Sequence, residues 1–160
     1  MQVRKSLNAA TVFSDESMNS TLGGVGGGMP LIRDLTKTHS TGVVVMRVNV
    51  RGGTFSNKKV WIKASDVEFR TNESAERYRN EAEQLAEQAR NAGAQASYWQ
   101  AAANAARVLC VTGVGAGAAL SIVTMGAETV GRSALVSLIG FQTLQPLLSC
   151  AGIDPAKFGS

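Results

Sequence analysis

Two stretches near the C-terminal end contain no charged residue, 20 positions over 108–127 and 21 over 133–153, with Glu128-Thr129-Val130-Gly131-Arg132 between them. Runs of this kind must leave water, and about 20 apolar residues is the length of a helix that crosses a bilayer core. The pattern predicts an apolar helical hairpin over 108–153 with a polar tip. The runs also hold Gly113, Gly115, Gly117, Gly126, Thr112, Thr124, Gln142, Gln145 and Pro146, which leave both only marginally apolar on an insertion scale. Lipid and the interior of a protein assembly are therefore both open as the environment of the hairpin. Insertion would place the basic N-terminal part on the cytoplasmic side, and the N-terminus has no apolar core of a signal peptide.

Upstream, 74–107 is rich in Ala, Glu, Gln and Arg and free of Pro, a composition that favours helix. Thr71-Asn72-Glu73-Ser74 offers caps and early acids for its positive end. From Ala75, the residues Tyr78, Ala82, Leu85, Ala89, Ala92, Ala96, Trp99, Ala103 and Ala106 follow alternating steps of three and four, and the same steps lead on to Cys110, Gly113 and Gly117. This is a heptad seam, and Gly113 and Gly117 on it form a GxxxG. The spacing predicts one amphipathic helix over 73–107, about 50 Å long, packed closely against copies of itself or partner helices. An Ala-rich segment also matches many periods by composition alone, and Gly93 is a weak point in a helix interior.

The net charge of +4 is unevenly spread. Residues 1–72 hold ten basic side chains against five acidic ones, whereas 73–107 is nearly balanced and 108–160 is neutral. The first 40 residues show no sustained period and include Gly23-Gly24-Val25-Gly26-Gly27-Gly28, which reads as a flexible joint in an arm. No Gly-Lys-Ser/Thr follows that run to make it a phosphate loop. From 43 the residues become β-branched, and 43–51, 59–63 and 67–70 read as strands of a small antiparallel sheet. Arg47, Arg51, Lys58, Lys59 and Lys63, with Trp61 among them, form a candidate contact for an anionic partner, nucleic acid or lipid. A solvated strand edge protected by Lys accounts for the same residues.

The predicted fold is α+β, mainly α: a flexible arm over 1–40, a small basic β unit over 41–72, a long helix over 73–107, an apolar helical hairpin over 108–153 and a tail over 154–160. No catalytic residues, metal ligands, cofactor or small-molecule substrate are indicated. The one histidine, His39, stands alone, and no paired carboxylates or nucleophile elbow occur. Cys110 and Cys150 fall level at the base of a hairpin centred on Val130. With nothing in the sequence pointing to an oxidising compartment, they read as two small buried hydrophobes and not as a bridge.

The long helix running into 108–127 and 133–153 broadly resembles membrane-active virion proteins of tailed phages and the hydrophobic hairpins of pore-forming toxins. The resemblance covers about half of the chain and includes no diagnostic motif. It implies a non-enzymatic structural or assembly protein, membrane-associated or part of a large assembly, that oligomerises through the seam and contacts membrane as a pore-like or virion component. The alternative is an oligomeric binding module whose basic head holds nucleic acid while the hairpin is buried in the assembly.

Overall fold

The computed structural model describes residues 1–39 and 41–158. The chain is α+β and mainly α, about 49% helix and 23% strand, with an antiparallel sheet preceding a run of helices. It divides into two compact units, Met1–Ser74 and Ala75–Ser160.

In the first unit, β2 (Ala9–Phe13), β3 (Thr21–Gly26), β4 (Leu31–Thr38), β5 (Val44–Val50) and β6 (Lys59–Lys63) form a sheet in the order β3-β2-β6-β5-β4. β5 and β6 are rich in β-branched residues and pair with Met46 opposite Ile62 and Val48 opposite Val60. Cross-strand partners point to the same face, so Val12, Met46, Val48, Val60 and Ile62 line one face, and each is at most 1% exposed. A separate two-stranded ribbon joins β1 (Gln2–Val3) to β7 (Val67–Glu68). Its register is fastened by Glu68, whose Oε1 accepts from the Lys5 backbone N–H and the Gln2 side-chain amide, both at 2.9 Å. These two donors, the backbone one first, hold the Glu68 carboxyl below its ordinary pKa.

The segment expected as an arm over 1–40 thus carries four strands; Ser40 itself lies outside the described residues. The glycine run is part of one of them. Gly23, Gly24 and Gly26 pair with Val12, Thr11 and Ala9, a ladder made by backbone groups and needing no side-chain period. Small size is required along this stretch, since a Cβ on Gly27 would lie 2.2 Å from the Leu7 carbonyl oxygen.

α1 (Asn72–Ala92), nearly all of which belongs to the second unit, begins where the caps suggest, with Thr71 Oγ1 accepting from the Ser74 N–H at 3.1 Å. The helix expected over 73–107 is divided in two, because α1 stops at Ala92 and α2 (Ala96–Val111) restarts after Gly93, Ala94 and Gln95. Gly93 has φ 73°, a conformation that glycine adopts without strain. Its carbonyl accepts from the Trp99 indole N–H at 2.7 Å. Trp99, fully buried, thereby fixes the break at the same time as it fills the core.

The expected hairpin over 108–153 is likewise more divided than a pair of arms. After the end of α2 it contains α3 (Ala116–Val130), α4 (Arg132–Ile139) and α5 (Phe141–Cys150), with α6 (Pro155–Phe158) in the tail, whose last two residues lie outside the described ones. Gly131 (φ 88°) and Gly140 (φ 90°) each join two helices through a single residue. Gly126 lets α3 and α4 meet closely, since a Cβ there would lie 2.6 Å from a Leu135 methyl carbon. The core takes Ala86 and Ala89 from α1, Trp99, Ala102, Ala103 and Ala106 from α2, and Ile122, Leu135, Leu144, Leu147 and Leu148 from the later helices. Cys110 and Cys150 form a disulfide with their Cα atoms 6.1 Å apart. The expectation of two unbridged cysteines is therefore corrected: folding brings the ends of α2 and α5 together, a proximity that compartment arguments do not address.

Candidate functional site

The other face of the sheet is the one with chemical character. Phe13, Val45 and Trp61 form a small buried cluster there, packed by Met18, Leu35 and Val43. Around it the register places Lys37 and Lys63 opposite Val45, Arg47 opposite Trp61, and Lys59 opposite Asn49. Four cations from three adjacent strands thus share one face. The Arg47 guanidinium lies 6.0 Å from the Trp61 ring centroid, within cation–π range.

Two acids partly balance this face. A register irregularity between Arg33 and Leu35 brings out Asp34, whose Oδ2 accepts from Arg47 Nη2 at 2.6 Å and lies 3.2 Å from Lys59 Nζ. Hydrogen bonds from Arg47 first and Lys59 second hold the Asp34 carboxyl below its ordinary pKa. Glu16 pairs with Lys37 at 2.7 Å. Lys59 and Lys37 nevertheless keep more than half of their side-chain surface in water, where such pairs are weak. A small depression of about 230 Å³ between Glu16, Lys37, His39 and Val45 adjoins the cations.

Of the five basic residues singled out in the sequence, Arg47, Lys59 and Lys63 share this face, whereas Arg51 and Lys58 are exposed in the connection between β5 and β6. Lys37 was missed because it lies in the segment read as an arm. The weak alternation of Leu31-Ile32-Arg33-Asp34-Leu35-Thr36-Lys37 was its only signal.

The seam residues are largely turned inward within this chain. Tyr78, Ala82, Ala89, Trp99 and Ala103 are buried, whereas Leu85, Ala92 and Ala96 are half-buried. Ala89, Trp99 and Ala103 belong to the core of their own helical unit. Gly113 and Gly117 are exposed, and Gly113 lies in the turn before α3, so the GxxxG does not run along one helix. Arg107 of α2 is 5% exposed, and burial lowers the pKa of its guanidinium.

Among the described residues no single helix is long and apolar enough to cross a membrane. Only taken together are α3 and α4 long and apolar enough, and they are bent by 114° at Gly131. Beside that pair, Val123, Ala127, Ile153 and Phe158 floor a groove of about 620 Å³ whose rim carries Glu128, Arg132, Asp154 and Lys157. Arg132 is 5.8 Å from the Phe158 ring centroid, and Asp154 Oδ1 accepts from the Ala156 N–H. The described residues contain no group of three or more His, Cys, Asp or Glu that could hold a metal ion. Compared with known proteins, the chain matches no family model, no curated protein and no solved structure.

Proposed function

We propose that the chain is a non-enzymatic binding component of a larger assembly, in which the sheet unit holds nucleic acid on the face carrying Lys37, Arg47, Lys59 and Lys63. The observation that supports this most is the convergence of four cations from β4, β5 and β6 on one face. Phosphate contacts supply most of such binding and make it salt-dependent. Neutralising four phosphates implies that duplex DNA affinity falls by about 100-fold between 50 and 200 mM salt. In the variant Lys59→Glu/Lys63→Glu the log–log salt slope drops by about 2. Fluorescence anisotropy with a labelled duplex measures both quantities. Binding that ignores salt, or that is unchanged in the variant, refutes the reading.

A second reading, an assembly component that contacts or inserts into a membrane through its C-terminal helices, is supported by the α3–α4 pair, which is apolar and long enough when taken together. Oligomerisation through the helix seam has less support, since Ala89, Trp99 and Ala103 already serve the core of their own unit. The Cys110–Cys150 bond supports residence in an oxidising compartment before any such insertion.

A further inference from the structure

We infer that the Cys110–Cys150 disulfide is a redox latch on the α3–α4 pair, and that bilayer crossing by this pair requires the bond to be reduced. The inference rests on the membrane reading above and adds its control. The bond joins the penultimate residue of α2 to the last residue of α5, so that α3 and α4 lie wholly within the loop it closes. They are separated only by Gly131, where a Cβ would meet nothing within 4 Å. A change of backbone angles at this one residue turns two short helices into one over 116–139, about 36 Å long at 1.5 Å per residue. That length covers a hydrocarbon core of about 30 Å. In the straightened helix Glu128 and Arg132 become an i,i+4 pair of opposite charge, which lessens the penalty of carrying two charges in the span.

Topology makes the bond a gate. A single crossing by 116–139 puts residues 110 and 150 on opposite sides of the bilayer. α5 has 10 residues, half of the roughly 20 that a helix needs to return, and non-helical backbone is excluded from lipid. A bond that holds the two Cα atoms 6.1 Å apart is incompatible with that arrangement. Both cysteines are only half-buried, within reach of a dithiol. Attack by one thiolate of the dithiol on either sulfur breaks the Sγ–Sγ bond and forms a mixed disulfide. The second thiol of the reagent then displaces the protein sulfur. The two electrons and two protons of the dithiol end on Cys110 and Cys150 as thiols, and the reagent leaves as its own disulfide.

The test uses the full chain and phosphatidylcholine–phosphatidylglycerol vesicles, with dithiothreitol as the reductant. After insertion of the reduced chain, a membrane-impermeant maleimide is expected to label one of the two cysteines and lose access to the other, whereas without vesicles it labels both. The oxidised chain should not float with the vesicles, and Cys110→Ser/Cys150→Ser should float without reductant. Thr124→Lys separates a specific span from general unfolding: Thr124 is exposed on α3, but a charge there in the span lowers the inserted fraction by on the order of 100-fold. Equal insertion of oxidised and reduced chains overturns the latch and leaves the membrane reading standing. Insertion by neither chain nor by the double serine variant overturns both, and insertion unaffected by Thr124→Lys overturns the assignment of the span to α3–α4.

Discussion

Replacing Cys110 and Cys150 together by Ser measures how far the helical unit depends on its one covalent crosslink. The bond closes a loop of sequence separation 40. The chain-entropy relation for such a loop gives about 13 cal/mol/K, or about 4 kcal/mol at 25 °C, removed from the stability of the unit when the link is absent. A domain of the length of Ala75–Ser160 has a total stability of about 4–13 kcal/mol. The loss is therefore nearly a third of the total in a unit at the upper limit, and in a unit at the lower limit it is the whole. It corresponds to a fall in melting temperature of about 15–30 °C. Circular dichroism at 222 nm follows the melt, because the helices dominate that signal, and the wild-type protein treated with dithiothreitol should melt with the double variant. Two free thiols titrated in the untreated native protein, or a loss of stability below about 1 kcal/mol, would refute the reasoning.

Trp99→Phe keeps an aromatic ring in the core but removes the indole donor to the Gly93 carbonyl, and should cost about 1–2 kcal/mol in urea unfolding, with a larger loss for Trp99→Ala of about 3–5 kcal/mol. If the Phe variant unfolds like the wild type, the hydrogen bond does not fix the break between α1 and α2. The carboxyl of Asp34, held below its ordinary pKa by Arg47 and Lys59, contributes stability that is fully present above about pH 4 and is lost as pH falls through the lower folded value. Asp34→Asn should therefore be less stable than the wild type at neutral pH, and the two should converge in strong acid. A urea midpoint difference that stays constant down to pH about 2 contradicts this.

Much of the architecture is written in side-chain patterns, and the parts that are not show why. The β-branched run of Val43 to Arg51, alternating over its second half, and that of Lys59 to Lys63 mark β5 and β6, in which one face is buried throughout while the other mixes buried Val45 and Trp61 with Arg47, Lys59 and Lys63. From them the shared face of Arg47, Lys59 and Lys63 follows. β3 leaves no such trace, since Gly23, Gly24 and Gly26 contribute backbone only, and with β3 and β4 read as an arm, Lys37 and its partner Glu16 stay invisible. The heptad runs unbroken through Gly93 because alanines on both sides satisfy it. What ends the helix is a left-handed glycine and a hydrogen bond from a residue six positions ahead, which no periodicity registers. The level placement of Cys110 and Cys150 was legible from hairpin geometry, although the structure reaches it through three helices. Their bonding was not, because the residues around a cysteine do not record its redox environment.

The strand order has a consequence for the time course of folding. β1 and β2 wait for partners far along the chain: Val12 pairs with Ile62 about 50 residues on, and Val3 with Val67 at still greater separation. Loop closure over such distances precedes any reward from the contacts and slows folding, whereas α3, α4 and α5 follow one another through single glycines. During synthesis β1 and β2 thus emerge well before the strands that complete their pairing. Until β6 has emerged, β2 has an open edge with which another copy could mispair, whereas the Gly-rich β3 keeps its outer edge open in the finished sheet.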